Sequence, residues 1–472
     1  MSGIFGVVSD SDCAETVMYG TDYHSHLGTE YGGIAVFGES FSRQIHNITQ
    51  SQFKSKFYDD IIRMKGNKGI GVISALEEQP IYLNSKFGPF CLVTNGLIEN
   101  ADELAKKMLS KGASFSEVCK GTVNETELIA KMITEGSSII DGIEKMFAQI
   151  EGSCSLLLLN KDGIYAARDR FGYSTLVIGK KGKKIAITSE TSALPNLDFE
   201  EVKNLEPGEI VLINEKGLIQ KKCGGKTNQI CAFLWIYTGF PASNYEGINA
   251  EVVRERCGRC LAKRDKNLKA DLIAGVPDSG LAHAQGYAME SGIPLRRPLV
   301  KYTPGYGRSY TPPSQTIRDL IAKMKLIAIK DIIKGNRIVL CEDSIVRGTQ
   351  LKNFTVKKLW DCGAKEVHVR PACPPLMFPC KFNLSTRTIA ELASRKAIRS
   401  LEGRDLEDVS EYADHNTEKY RKMVEWIARD LEVTSLKYQI VDDMVKAIGL
   451  PKEKLCLYCW TGVQPGKKRK KQ

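Results

Sequence analysis

Two rhythms of apolar residues divide the chain near Asn228. Before it, short apolar runs are punctuated by Gly, Asn and Asp, the pattern of strands and tight turns. Gly33-Ile-Ala-Val-Phe37, Phe90-Cys-Leu-Val-Thr94, Cys154-Ser-Leu-Leu-Leu-Leu159 and Ile185-Ala-Ile-Thr188 are such runs. A helix is predicted over Glu125–Thr134, where Leu128, Ile129 and Met132 recur at helical spacing. The chain opens Met1-Ser-Gly-Ile-Phe-Gly-Val-Val8, read as a buried strand with Ser2 at its head. Loss of Met1 would leave Ser2 as a free N-terminus, read as a nucleophile on the first residue of that strand. These features predict a layered α+β domain over 2–228.

After Asn228, strand-like runs alternate with helical stretches. Asp271-Leu-Ile-Ala-Gly-Val276 precedes a helix around Gly280–Glu290, and Arg337-Ile-Val-Leu-Cys341 precedes one around Gln350–Asp361. Glu366-Val-His-Val-Arg370 follows as another strand. This alternation predicts an α/β domain with a parallel sheet over 229–400. Residues 384 to 455 read mostly helical, so 401–472 is predicted as a helical C-terminal segment carrying a C-x-x-C pair and a basic tail.

A length of 472 residues suits two or three cores. No apolar run approaches the roughly 20 residues of a membrane helix, and no secretory leader is evident. The expectation is a cytoplasmic protein with no membrane partner. The net charge of +11 falls partly in the tail Gly466-Lys-Lys-Arg-Lys-Lys-Gln472. The tail reads as a solvated end rather than a nucleic-acid surface. A basic protein also suits anionic small substrates. Fourteen cysteines in a reducing compartment argue for metal, cluster or buried-thiol roles rather than disulfides.

The most informative stretch is Asn336-Arg-Ile-Val-Leu-Cys-Glu-Asp-Ser-Ile-Val-Arg-Gly-Thr-Gln350. An apolar strand ends in the adjacent acids Glu342 and Asp343. A loop with Ser344, Arg347, Gly348 and Thr349 follows, and a helix begins. Backbone N–H groups and hydroxyls at a helix start bind anions, and paired acids at a strand end hold sugar hydroxyls or a divalent metal.

This stretch resembles the phosphoribosyl pyrophosphate signature of type I phosphoribosyltransferases. In its longer form it resembles the glutamine phosphoribosylpyrophosphate amidotransferases of purine synthesis. Val276-Pro-Asp-Ser-Gly280 is similar to that family's pyrophosphate loop, which implies substrate binding by Asp278 and a magnesium ion held by Ser279 with Glu342 and Asp343. Arg308-Ser-Tyr-Thr-Pro-Pro-Ser-Gln315 through Lys323-Met-Lys-Leu326 is similar to its mobile loop, with Lys325 on the substrate. Thr94-Asn-Gly-Leu-Ile-Glu-Asn100, Ala167-Arg-Asp-Arg-Phe-Gly172, Ser189-Glu-Thr191 and Leu205-Glu-Pro-Gly-Glu209 match family landmarks in the first half. The resemblance spans nearly the whole chain, apart from an insertion near 407–425. It implies a class II glutamine amidotransferase-like N-terminal-nucleophile domain followed by a phosphoribosyltransferase domain. A homo-oligomer inhibited by purine nucleotides is also implied.

Cys456-Leu-Tyr-Cys459 and Cys257-Gly-Arg-Cys260 are two C-x-x-C pairs, a pattern open to a tetrahedral zinc site. The resemblance implies instead a structural [4Fe–4S] cluster on Cys231, Cys380, Cys456 and Cys459, leaving Cys257 and Cys260 as helix-face residues.

In the first half the family pattern breaks. The resemblance implies an oxyanion hole at Asn95 and Gly96, and both are present. The nucleophile position, however, holds Ser2 rather than cysteine. Gly69-Ile-Gly-Val-Ile-Ser-Ala75 lacks the family arginine that clamps the glutamine carboxylate, with Ile73 or an apolar neighbour expected in its place. His26-Leu-Gly28 departs from the family's His-Arg-Gly, and the acid for the substrate amine shifts to Glu125 within Val123-Asn-Glu-Thr-Glu127. Phe233-Leu-Trp-Ile-Tyr-Thr-Gly-Phe-Pro-Ala-Ser243 replaces charged family positions with apolar ones. The expectation is an amidophosphoribosyltransferase using phosphoribosyl pyrophosphate, magnesium and ammonia, free or from an external source. Two alternatives stand beside it: a glutamine-dependent enzyme with Ser2 as nucleophile, and a regulatory paralogue that binds nucleotide or phosphoribosyl pyrophosphate.

Overall fold

A computed structural model describes residues 2–119, 121–302, 326–383, 386 and 388–463. Lys325, most of the expected mobile loop and the basic tail lie outside the described residues. The chain divides into two compact units. One comprises Ser2–Cys231 with Ala242–Gly247 and Lys381–Asn383; the other comprises Ala232–Pro241, Ile248–Cys380 and the described residues beyond 385.

The first unit is built in four layers. A seven-stranded antiparallel sheet has Gly3–Val8 near its middle, between Lys184–Thr188 and Lys68–Ser74. A six-stranded antiparallel sheet carries Gly88–Ile98 beside Gly152–Asn160. Ile4, Ile70 and Val72 of the first sheet meet Val93, Leu157 and Ile164 of the second in a shared core. Strand alternation then sends Phe5, Val7 and Ile73 to the opposite face, where they pack under the helices Ala14–Asp22 and Phe53–Arg63. The other outer face is covered by Ala101–Leu109, Glu125–Thr134 and Ile139–Gln149. Each fully buried aliphatic or aromatic side chain contributes roughly 1.5–3 kcal/mol to such layers. The predicted Glu125–Thr134 helix is found at those bounds. Asn124 caps it, its side-chain oxygen accepting from the Thr126 and Glu127 N–H groups.

Arg168 stands fully buried in this unit. It donates to the carbonyls of Gly172, Ser174 and Leu205 and pairs with Glu246 at 2.6 Å. Asp169 accepts from the N–H groups of Cys154, Phe171 and Tyr173. The Ala167–Gly172 landmark is thus an organiser of backbone through Arg168 and Asp169.

The second unit holds a parallel sheet in the order Leu272–Gly275, Arg337–Glu342, Glu366–Pro371, Ser435–Leu436. The last strand has no counterpart in the sequence reading, because two residues carry no measurable period. The helix expected around Gln350–Asp361 is present, wound wider over Leu351–Val356 before tightening at Lys357–Asp361. Ala393–Glu402 and Glu418–Asp430 pack Ala397, Ile398, Met423 and Ile427 onto the sheet's Ile338, Leu340, Val367 and Val369. The segment from 401 therefore shares the core of the parallel sheet. Among the described residues no helix is long and apolar enough to cross a membrane.

Candidate active sites

Each unit presents one arrangement with chemical potential. In the first, a small pocket of about 30 Å3 is lined by Ser2, Ser74, Glu77, Gly96, Glu125 and Cys154, among others. Ser2 is only 6% exposed. Its backbone N–H donates to Asn95 Oδ1 at 3.2 Å, while its hydroxyl has no hydrogen-bond partner among the described residues. Gly96 pairs across the sheet with Cys154. A Cβ at Gly96 would stand 1.9 Å from the Ser153 carbonyl, so only glycine fits. Ser2, Asn95 and Gly96 are therefore brought together as the sequence predicts.

One expectation needs correction. Ile73 does not face this pocket. It is fully buried on the other side of its strand, and its neighbour Ser74 lines the pocket instead. Successive side chains of a strand point to opposite faces, so a one-residue uncertainty in alignment exchanges core for cavity. The Ser74 hydroxyl accepts from the N–H groups of Leu76 and Glu77.

Glu77 escaped the sequence reading altogether. It is buried at the start of the Glu125–Thr134 helix, accepting from the Glu125 N–H, the Thr126 N–H and the Thr126 hydroxyl. Burial pushes its carboxyl above the usual range, against the pull of those donors. Glu125 lines the same pocket and accepts from the Ile98 N–H at 2.9 Å. Cys154 is no substitute nucleophile. Burial, with the charges of Asp169, Glu125 and Glu77, holds its thiol far above the ordinary range and so protonated. His26, in the altered His-Leu-Gly segment, pairs with buried Glu190 at 3.0 Å, and Tyr245 donates to the same carboxylate at 2.6 Å.

In the second unit, Glu342 closes the strand Arg337–Glu342 and Asp343 begins the loop beyond it. Both are buried. Ser279 donates to Glu342 Oε1 at 3.0 Å, and Ser344 donates to Asp343 Oδ2 at 2.5 Å. Burial first, then the neighbouring Asp343 charge, drives the Glu342 carboxyl well above its ordinary range. The Val276–Gly280 loop is held at the same strand end by a Val276 N–H to Cys341 carbonyl bond of 3.0 Å. A Cβ at Gly280 would lie 2.3 Å from that carbonyl, so the two loops approach as closely as backbone allows. Gly348 adopts φ +78°, the left-handed turn that redirects the loop into its helix.

The remaining predicted residues are less tightly gathered. Arg347 pairs with Glu391 at 2.7 Å and Thr349 is exposed. Asp278 is paired at 2.7 Å with Lys301, a partner the sequence reading missed. Glu342, Asp343 and the Ser279 hydroxyl form an oxygen-only set of the kind a hard cation prefers. Among the described residues, however, no group of three or more His, Cys, Asp or Glu side chains stands ready to hold a metal. That statement covers the cysteines as well. Cys257 is fully buried within the helix Ala250–Lys263, with its thiol pushed up, which does not favour a zinc thiolate. Around the other pair, backbone segments converge in the second unit. The Ala232 N–H donates to the Cys456 carbonyl at 3.4 Å, and the Met377 and Phe378 N–H groups donate to the Cys459 carbonyl at 2.8 and 3.1 Å.

A family profile described as "Glutamine amidotransferase domain" matches residues 69–196. An amidophosphoribosyltransferase of Methanocaldococcus jannaschii is 33% identical over 98% of this chain and 98% of its own. One from Staphylococcus aureus is 31% identical over 98% of this chain and 90% of its own. The solved glutamine phosphoribosylpyrophosphate amidotransferase from B. subtilis, complexed with ADP and GMP, superposes with a TM-score of 0.83 at 29% identity, covering 98% of this chain and 97% of that one. With both halves matched end to end at this identity, the chain belongs to the amidophosphoribosyltransferase family.

Proposed function

We propose that this chain makes 5-phosphoribosylamine and pyrophosphate from phosphoribosyl pyrophosphate and ammonia, as the first step of purine synthesis, without generating that ammonia from glutamine. The nitrogen lone pair forms the bond to the sugar C1 as the C1–oxygen bond to pyrophosphate breaks, and the nitrogen then sheds a proton. Glu342 and Asp343 hold the ribose hydroxyls. Ser344, Arg347, Gly348 and Thr349 cradle the 5-phosphate, and Asp278 lies on the pyrophosphate side. Ser279, Glu342 and Asp343 would hold magnesium, which when bound offsets the charge of the departing pyrophosphate. Catalysis is then mainly positioning and charge stabilisation.

The observation that carries the nitrogen source is the pocket wall. Ser74 and Glu77 line it, and no Lys, Arg or His is among its described lining residues. A glutamine α-carboxylate would meet a buried carboxylate there instead of a guanidinium. Glutamine use has its own support in the retained Asn95–Gly96 segment and the amidotransferase profile. Pyrophosphate release with ammonium and with glutamine as sole nitrogen source tests the choice. Release with ammonium alone is expected, and equal release with glutamine would make Ser2 a working nucleophile.

We also propose a [4Fe–4S] cluster on Cys231, Cys380, Cys456 and Cys459, supported by the converging segments around Cys456 and Cys459. Iron and acid-labile sulfide in protein purified without oxygen test it. Purine nucleotide inhibition and a homo-oligomer are further expectations, the first supported by the nucleotides bound to the B. subtilis structure.

A further inference from the structure

One buried histidine takes no part in the sites described above. His283 lies in the first turn of the helix Leu281–Ser291, which follows the Val276–Gly280 loop directly, and it is fully buried. Both of its ring nitrogens face backbone carbonyls. Nδ1 stands 3.0 Å from that of Arg254 and Nε2 3.2 Å from that of Ile236. A neutral imidazole has a single N–H and can serve only one of them. Burial first, then the charge of Arg254, lowers the His283 pKa from 6.5 to about 4, which keeps the ring neutral near neutral pH.

The surroundings decide where that proton sits. The Arg254 carbonyl is inside the helix Ala250–Lys263, where helical spacing supplies the Gly258 N–H as its donor. The Ile236 carbonyl belongs to the wide turn Leu234–Thr238, in which the Gly239 N–H donates back to the Leu234 carbonyl. At the same spacing the donor to Ile236 would be residue 241, a proline with no N–H. The Nε2 proton therefore goes to Ile236. Arg254 donates to the carbonyls of Trp235, Tyr237 and Gly239 at 2.9, 3.2 and 2.6 Å, so two buried side chains hold this turn by its carbonyls.

Little between these elements can absorb a shift. A Cβ at Gly258 would stand 1.9 Å from the His283 carbonyl, and one at Gly286 1.8 Å from the Glu255 carbonyl, so the two helices touch backbone to backbone. The Ala284 N–H donates to the Gly280 carbonyl at 3.0 Å, and Ser279 in the same loop reaches Glu342. Displacing the helix start therefore moves the loop with it. An apolar side chain would fill this space without the cost of burying an imidazole, so packing alone does not account for His283.

We propose that His283 is a positioning residue for phosphoribosyl transfer: by donating to the Ile236 carbonyl it fixes the start of its helix, and with it Asp278 and Ser279, against the Leu234–Thr238 turn. The inference rests on the transfer reading above and names what sets the geometry of its pyrophosphate side.

Three variants of the full chain test it. His283→Gln places an amide nitrogen near the position of Nε2, His283→Asn places one near Nδ1, and His283→Leu offers no donor. The dissociation constant of phosphoribosyl pyrophosphate with magnesium is measured by calorimetry without ammonium. KM and kcat come from pyrophosphate release at saturating ammonium, with melting temperatures recorded beside them. His283→Gln should bind within about twofold of the wild type, whereas His283→Asn and His283→Leu should raise both Kd and KM about tenfold with kcat changed less than about threefold.

Equal binding by His283→Gln and His283→Asn would overturn the inference, whatever their melting temperatures, because helix packing is served by either. Unchanged binding by His283→Leu would overturn it too, and if that variant does not fold the other two decide. Pyrophosphate release by the wild type without this ordering would sink the inference and leave the proposed function standing. The ordering in binding without any release would do the reverse.

Discussion

Two pairs of acids stand near serine hydroxyls in this chain, one in each unit, and they are not equivalent: Glu342, Asp343 and Glu77 are buried, and Glu125 is half-buried. Glu342 and Asp343 are sequence neighbours at a strand end, Glu342 accepting from the hydroxyl of Ser279 on the adjoining loop and Asp343 from that of Ser344, the next residue along the chain. Glu77 and Glu125 come from segments 48 residues apart, and Glu77 is bonded to the backbone that begins the Glu125 helix. The first pair is a strand-end site whose charge suits a metal or sugar. The second has built Glu77 into the start of the Glu125–Thr134 helix. Acid content alone does not set the character of a site. The groups that satisfy the acids do.

The sharpest break of this comparison is Asp343→Asn. If the strand-end pair is the transfer site, ammonium-dependent pyrophosphate release should fall about 100-fold or more with the far-ultraviolet spectrum unchanged. A fall below tenfold would remove the distinction between the pairs.

Next comes the acid response of the first unit. His24 is fully buried, with Nδ1 at 3.0 Å from the Gly20 carbonyl and Nε2 at 3.0 Å from the Thr188 hydroxyl. Burial lowers its pKa from 6.5 to about 4. The unfolded chain therefore takes up a proton that the native state refuses between those values. Stability is full above pH 6.5 and is lost as pH falls towards 4, by about 3 kcal/mol from this residue. Melting temperatures across that window should show the loss, and His24→Gln should flatten it. A wild-type curve no steeper than the variant's would refute the assignment.

A smaller effect is expected at Gly280→Ala. The new Cβ would press on the Cys341 carbonyl and shift the Val276–Gly280 loop, slowing transfer by about tenfold to a hundredfold through misplacement alone. An unchanged rate would mean the two loops need not meet closely. The smallest is Lys301→Met. It breaks a partly exposed ion pair with Asp278 and should cost under about 1 kcal/mol of stability in chemical denaturation. A larger loss would show that Asp278 is held for the fold rather than for the substrate.

Much of the architecture was legible in sequence because its signals are local. Apolar runs bounded by Gly and Asp marked the strands, and the spacing of Leu128, Ile129 and Met132 marked the Glu125–Thr134 helix. The acid pair, Ser344 and Gly348 are contiguous, so chain order itself brings them together. Illegible were the features that depend on which face a residue takes or on a distant partner. Ile73 and Ser74 exchange roles with one step of register, Glu77 gains meaning only against Glu125, and Lys301 only against Asp278.

The sequence by itself determined the family, the order of the two folds and the acid-pair turn at Glu342–Thr349, since each is written in contiguous residues whose spacing fixes local geometry. Only the tertiary structure decided the character of the Ser2 pocket. Its walls come from strands and a helix start far apart along the chain, and the sign of a cavity's charge is set by which side chains folding turns inward.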